Sequence, residues 1–155
     1  MVKNVFKKLG KKQKNNKGFS LVELIVVIAI MAVLVGVLAP QLIKYVEKSR
    51  EATDIQTCDN IATALKTYYA DEEVAASATA NTNTVTVTLG KTELGTVADT
   101  AVKDAGLTKA KIKGTKWTDD KITIVYNKAD GTITYTGDSP YYHSDKDQFK
   151  KGPKS

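Results

Sequence analysis

The chain has 155 residues, a net charge of +6 and a pI near 9.2, a balance that by itself favours an anionic partner such as a nucleic acid. The charge is unevenly placed, because the first 18 residues hold seven lysines and no acid, whereas the other 137 hold 16 basic and 17 acidic residues. The excess charge therefore belongs to the N-terminal segment alone, which argues against nucleic acid as a partner.

A long apolar segment follows this basic leader, starting at Phe19. Leu24–Ala39 contains no polar side chain, and residues 19–43 would form a helix about 37 Å long at about 1.5 Å per residue. A bilayer core about 30 Å thick needs about 20 such residues. The segment predicts a transmembrane helix. The leader lysines place the N-terminus inside and the C-terminus outside, since positive flanks stay cytoplasmic.

Glu23 is the one acid in this apolar segment, which contains no basic residue. A carboxylate inside a membrane costs up to about 3 kcal/mol, so such a residue is functional by default and needs a partner. Cleavage of the chain after Gly18 would create a positively charged amine on Phe19. We expect Glu23 of a neighbouring copy to bind that amine.

The string Lys-Gly-Phe-Ser-Leu-Val-Glu-Leu at residues 17–24, together with the apolar run behind it, closely resembles the cleavage and methylation signature of type IV prepilins. The resemblance covers about the first 45 residues. It implies that a prepilin peptidase cuts after Gly18, that Phe19 is N-methylated, and that Glu23 pairs with a neighbour's N-terminus during assembly. One departure is that Gly36 is the first glycine in the run, where many members have an earlier one.

The resemblance also implies partners and a location. The partners are the prepilin peptidase/methyltransferase, other pilin subunits in a homo-oligomeric filament and, indirectly, the pilus assembly platform and its ATPase. The precursor is expected in the inner or cytoplasmic membrane as a single-pass protein, and the mature subunit in an extracellular pilus. The function implied is that of a structural subunit of a type IV pilus-like filament.

Other interpretations of the N-terminal segment are open. A secretory signal peptide has a shorter apolar core of about 7–15 residues, and the nearest small-residue cleavage site here is followed by Pro40, which disfavours cutting. A pseudopilin of a type II secretion or DNA-uptake machine shares the same pattern. A single-pass membrane-anchored surface-binding protein explains the apolar run but gives Glu23 and the Gly18–Phe19 junction no role.

Gly36 and Pro40 both interrupt the apolar helix, because glycine is a poor helix former and proline removes a backbone hydrogen bond. We predict a helix bend between them. The helix is then expected to continue to about Val74. Its first charged part has Glu47–Arg50 and Arg50–Asp54 at pairing distance.

A narrow apolar stripe follows on one side of this continuation, which predicts that one side of the helix is covered. Its members are Ile55, Cys58, Ala62, Leu65 and Tyr69, flanked by Ile61 and Tyr68. The 82 residues from Val74 onwards are too few to build a sizeable core alone, so the helix and the outer residues are expected to share one.

Alternation of residue types and turn signals predict the outer elements. They are, in chain order, a strand at Thr84–Leu89, a short helix at about Thr96 to Ala105, and a hairpin of strands at Lys121–Tyr126 and Thr132–Thr136 closed by a loop ending in Gly131. The polar residues after Gly137 are expected to form an extended or frayed tail.

These elements predict an α+β fold: a long N-terminal helix, transmembrane in its first half, with a small antiparallel β-sheet head packed on its second half, giving a pilin-like lollipop. Four segments follow from this prediction. They are a cleaved basic leader at 1–18, a transmembrane and filament-core helix at 19–43, its amphipathic continuation at 44–74, and a C-terminal head with a polar tail at 75–155.

No set of side chains suited to catalysis stands out. Cys58 lies on the apolar stripe and, as the single cysteine, cannot form an internal disulfide, and His143 has no second histidine or cysteine with which to bind zinc. The acids at 145–147 lack the glycine and terminal glutamate of a calcium loop. We therefore expect a protein that is not an enzyme and has no cofactor or metal. A sugar-binding surface built on Trp117 and Tyr141–Tyr142 is an alternative hypothesis.

Overall fold

The computed structural model describes residues 18, 20–70, 83–95 and 98–154. The chain has two compact units, Met1–Pro40 and Gln41–Ser155. The fold is α+β, as predicted, with a long apolar N-terminal helix followed by a small antiparallel sheet. The elements are α1 (Leu21–Tyr69), β1 (Thr84–Leu89), α2 (Thr100–Asp104), a 3-10 turn (Thr118–Asp120), β2 (Ile122–Asn127), β3 (Ile133–Thr136), β4 (Tyr142–Asp145) and β5 (Gln148–Lys151).

The part of α1 that belongs to the second unit buries one face, which confirms the predicted stripe. Cys58, Ile61 and Leu65 are fully buried, and Ala62 is 5 % exposed. Full burial of a large aliphatic side chain contributes roughly 1.5–3 kcal/mol, so this face is a main source of stability for the second unit. The helix ends at Tyr69 rather than near Val74, and residues 71–82 lie outside the described part of the chain.

The sheet that covers this face has the order β1-β2-β3, with both pairs antiparallel. Val87 on β1 lies opposite Ile124 on β2, which in turn lies opposite Tyr135 on β3. Since alternate residues of a strand point to the same face, one set of side chains is buried against the helix. Ile122 and Ile124 are completely buried. The three predicted strands are confirmed, β1 with the predicted bounds, whereas β2 and β3 each begin one residue later than predicted and β2 also ends one residue later.

The short helix α2 begins later than predicted. Asp99 precedes it with extended backbone (ψ 153°), and its side chain accepts a hydrogen bond from the Ala101 backbone N–H at 3.0 Å. This is N-cap geometry, which places the helix start at Thr100. Residues 98–99 are therefore outside the helix, and Thr96 and Val97 lie outside the described residues.

The residues after Gly137 form an ordered hairpin, so the predicted frayed tail is wrong. β4 pairs antiparallel with β5 through a turn in which Lys146 has a φ of +54°. The Tyr135 backbone N–H donates to the Lys146 carbonyl at 2.8 Å, and the Ser144 N–H donates to the Gly137 carbonyl at 3.0 Å. These bonds attach the hairpin to β3 and thereby fix the C-terminal part of the chain.

Trp117 is buried, which overturns the sugar-binding hypothesis built on it. Its ring is 3 % exposed, and its Nε1–H donates to Asp54 Oδ2 at 2.9 Å. The edge of the Phe149 ring packs against it, with centroids 5.7 Å apart. Tyr142 is also buried, so neither side chain offers an aromatic face to a sugar ring.

The charged part of α1 contains the largest departure from the sequence prediction. Glu47, Glu51 and Asp54 are buried, with exposed fractions of 7 %, 0 % and 1 %. Glu47 does pair with Arg50, at 3.7 Å, but the predicted Arg50–Asp54 pair does not form. Asp54 instead accepts hydrogen bonds from a distant loop, because the backbone N–H groups of that loop point at the helix.

Cys58 is expected to resist alkylation in the folded protein. Burial raises the pKa of its thiol far above the ordinary value, with nearby Asp54 and Asp59 adding to the effect, and the thiolate is the reactive form. An iodoacetamide time course near pH 8 should show modification at least about tenfold slower than in denaturant, where the same thiol is exposed. Equal rates with and without denaturant would contradict the buried position.

Candidate processing and assembly site

Gly18 stands immediately before the first described residues of the apolar segment and is exposed. A β-carbon built on it would meet nothing within 4 Å, so its lack of a side chain serves no packing role among the described residues. A requirement for glycine at this position would have to come from a second molecule. Phe19, the predicted new N-terminus, lies outside the described residues.

Glu23 lies in the first turn of α1, where it caps the helix. The Ser20 backbone N–H donates to Glu23 Oε2 at 2.9 Å, and the Leu24 N–H donates to the Ser20 carbonyl at 3.1 Å. This places Ser20 at the N-cap and Glu23 three residues later, which is half of a capping box. A negative charge in the first turn also interacts favourably with the helix dipole.

The capping role of Glu23 was not predicted from the sequence, although Ser-x-x-Glu before an apolar run is its signal. The structure therefore gives the carboxylate a partner within its own chain. Glu23 is nevertheless exposed, so its carboxylate is accessible to a group from another molecule. The predicted contact with a neighbour's amine involves a second copy and stays a prediction.

An apolar surface surrounds the N-terminal part of α1. Every exposed large hydrophobic side chain among the described residues lies between Leu21 and Val46, and an 18-residue window of this helix has a mean hydropathy of 3.1 with none of it buried. Such a surface is far larger than the apolar patches that soluble monomers expose. By length and composition the helix can cross a membrane, in agreement with the prediction.

Gly36 and Pro40 lie within α1, which is helical on both sides of each residue. A β-carbon on Gly36 would meet nothing within 4 Å, so packing within this chain does not require a glycine at position 36. Both residues are more than two helical turns away from Glu23, so they form no common site with it. The bend predicted between them stays a prediction.

Among the described residues of the N-terminal site, the ionisable side chain is the Glu23 carboxyl group. Within the described residues, no group of three or more histidine, cysteine or acidic side chains is arranged to hold a metal ion. Half-buried His143 has its Nδ1 2.9 Å from the Gly152 carbonyl, in the hairpin of the head. This contact joins the His143 ring to the backbone of the hairpin.

Comparison with known proteins identifies the N-terminal pattern. Residues 13–39 match the family model of the prokaryotic N-terminal methylation motif, which includes Gly18, Glu23 and most of the apolar run. The chain therefore carries a type IV pilin-like signature, and the membrane and methylation predictions agree with it. No solved structure matches the chain.

Proposed function

We propose that the chain is the precursor of a structural subunit of a type IV pilus-like filament. It is inserted in the cytoplasmic membrane with its N-terminus inside, cleaved between Gly18 and Phe19, methylated on Phe19 and assembled with other copies. The observation that supports this most directly is the position of Glu23 in the first turn of a helix that has an 18-residue apolar window with none of it buried. The match to the methylation motif supports a type IV pilin-like or pseudopilin protein.

The apolar surface supports assembly as well as anchoring. In the membrane, lipid chains cover the helix, and helix association gains from close packing rather than from the removal of water. When a subunit leaves the lipid, the same surface must be covered by protein, because its exposure to water would cost about 25 cal/mol for every Å². Burial against the helices of other copies meets this requirement.

Glu23 supplies the specific contact in this proposal. A charge at the edge of an apolar bundle favours a partner of opposite sign, and the freed Phe19 amine is the nearest such group created by processing. An apolar surface alone permits many axial positions of one helix against another. Pairing of the carboxylate with the neighbour's amine selects one of them, and the charges set the register.

A pseudopilin of a type II secretion or DNA-uptake machine would use the same N-terminal chemistry. Immunogold electron microscopy of intact and sheared cells separates the two roles, with antibodies raised against the head. A pilus subunit should label long extracellular filaments that shear releases into the medium. Label confined to the cell envelope, with no released filaments, would contradict the pilus assignment and favour the pseudopilin.

Gly18→Val is expected to reduce leader cleavage at least about tenfold without disturbing the fold, because the position has open space around it. Any loss then comes from recognition by the prepilin peptidase. Immunoblots of whole cells should show the precursor accumulating with the leader attached. Gly36→Ala is the matched control, since its β-carbon also meets nothing and it lies away from the junction. Normal cleavage of Gly18→Val would contradict the processing site.

A further inference from the structure

Glu51 is a buried carboxyl group with too few hydrogen-bond donors for a charge. Its side chain lies on the α1 face of the second unit and is 0 % exposed. One oxygen, Oε2, lies 2.5 Å from Ser139 Oγ, in the turn that leads into β4. The other oxygen, Oε1, is buried and has no hydrogen-bond partner among the described residues.

The two neighbouring acids on the same helix face have hydrogen-bond donors that differ from those of Glu51. Asp54 accepts three N–H donors at 2.7–2.9 Å, from the backbone of Lys113 and Gly114 and from the Trp117 ring. Glu47 accepts the Thr115 backbone N–H and pairs with Arg50. These donors stabilise carboxylates, whereas the single contact of Glu51 is with a neutral hydroxyl.

Charged groups on the surrounding elements do not supply the missing cation. From its own helix Glu51 faces the acids Glu47 and Asp54, and none of the ion pairs in the described chain includes Glu51. In the loop opposite, Lys113 and Lys116 are exposed. In the turn, Asp138 pairs with Lys154 at 3.7 Å.

We propose that Glu51 is an uncharged carboxylic acid in the folded protein. Its proton forms a hydrogen bond to Ser139 Oγ, and this bond connects α1 to the turn that leads into the C-terminal hairpin. A buried carboxylate without a cation or N–H donors is strongly disfavoured, and so is one packed between two other carboxylates. A protonated Glu51 shares a hydrogen bond with Ser139 Oγ at no such cost. Asp54 has three N–H donors, Glu47 has one N–H donor and Arg50, and Glu51 has neither an N–H donor nor a cation, so Glu51 is the acid on this face that holds a proton.

The hydrogen-bond network around Ser139 can accommodate that proton. Ser139 Oγ accepts the Tyr142 backbone N–H at 3.0 Å and the Tyr141 backbone N–H at 3.2 Å, and the Tyr142 carbonyl, 3.2 Å away, can accept its hydrogen. Because a hydroxyl oxygen has two lone pairs, an O–H donated by Glu51 replaces the longer of these two N–H bonds. When Glu51 is protonated, its O–H donates to Oγ and the serine hydrogen turns to that carbonyl. When Glu51 loses its proton to solvent, the serine hydrogen turns back to Oε2, and Oε1 remains charged and without a donor.

The direction of the pH effect follows from this arrangement. Burial raises the pKa of Glu51 above the ordinary value of 4.5, the hydrogen bond from Ser139 lowers it by a smaller amount, and the charges of Glu47 and Asp54 each add a still smaller increase. Because the folded state holds the proton more tightly than the unfolded state, its stabilising contribution is complete below pH 4.5. It is lost as the pH rises through the folded pKa. Above that pH the contact between α1 and the turn at Ser139 weakens.

Carbon-13 NMR of the full chain in detergent micelles, labelled at glutamate carboxyl carbons, tests the proposal. The Glu51 signal, assigned by its disappearance in Glu51→Gln, should titrate above the ordinary value of 4.5. Glu47→Gln, which removes a neighbouring charge, should shift this titration to lower pH. A Glu51 signal that titrates at or below 4.5 would overturn the proposal, as would no shift in Glu47→Gln.

Hydrogen exchange at the Tyr142 amide gives an independent readout on the same samples. In the wild type its protection should fall by at least about tenfold through the Glu51 titration, beyond the intrinsic pH dependence of exchange. Glu51→Gln keeps the shape and offers an N–H donor to Ser139, so its protection should no longer show this step. A step of the same size in Glu51→Gln would show that another group controls the hairpin and would refute the proposal.

Discussion

Glu23→Gln is expected to reduce filament assembly strongly while leaving the helix start intact. Glutamine can replace glutamate in a capping box, so the bond from the Ser20 N–H is retained. The charge is lost, and with it the pairing with the neighbour's amine. Charged hydrogen bonds contribute about 1.5–3 kcal/mol each, so filament yield should fall at least about tenfold. The measurement is sheared filament protein per cell, relative to processed subunit in the membrane.

A pair of control variants separates the two roles of Glu23. Glu23→Ala removes both the cap and the charge, whereas Ser20→Ala keeps the charge and the backbone N–H that donates to it. Assembly should fail in Glu23→Ala as it does in Glu23→Gln, and persist in Ser20→Ala. If Glu23→Gln assembled normally and only Glu23→Ala failed, capping rather than charge would be the function of this residue.

Gly114→Val is expected to destabilise the second unit strongly. A β-carbon at this position would lie 2.7 Å from Glu51 Cγ, 2.8 Å from Trp117 Nε1 and 2.9 Å from Asp54 Oδ2. Overpacking of this kind costs about 1–3 kcal/mol, and displacement of the loop also breaks the buried N–H bonds to Asp54. Thermal unfolding in detergent, followed by near-ultraviolet circular dichroism of Trp117, should therefore show a clearly lower midpoint.

Gly90→Ala is the matched control for this effect, because Gly90 is also in the second unit but has nothing within 4 Å of its β-carbon. Its unfolding midpoint should stay close to that of the wild type. If the Gly114→Val protein were as stable as Gly90→Ala, the hydrogen bonds to the buried acids would not hold the loop at 113–117 against α1.

The regular parts of the fold were predictable because their patterns are local. The stripe around Cys58 and Leu65 repeats with the period of a helix, and Thr84–Leu89 alternates with the period of a strand. The apolar run and Glu23 were likewise readable, since a membrane segment and an acid within it stand out in any chain. These features needed no knowledge of distant contacts.

The buried acids and the C-terminal hairpin were not predictable in the same way. Asp54 is held by N–H groups about 60 residues away along the chain, and backbone donors leave no mark in the sequence. Acids are seldom buried without such partners, and nothing in the charged stretch of α1 indicates that Glu47, Glu51 and Asp54 are buried. Strands β4 and β5 are mostly polar, with only Tyr142 and Phe149 to indicate an inward face.

The head is thus joined to α1 by two kinds of contact. Apolar side chains around Ile61 and Ile124 supply most of the burial, and the acids Glu47, Glu51 and Asp54 position the loop at 113–117 and the turn at Ser139. The second set is directional, because each hydrogen bond requires a particular donor at a particular place. It accounts for the order of a C-terminal region that has little apolar content.

Mass spectrometry of the mature N-terminus tests the central proposal most directly. The protein is recovered from the cell surface or membrane and digested, and its N-terminal peptide is sequenced. We predict that it begins at Phe19 and carries one methyl group on its α-amine, in strains with an active prepilin peptidase. A mature chain that begins at Met1, or an unmethylated N-terminus located after Ala39, would contradict the proposal and indicate a plain anchor or a secretory signal instead.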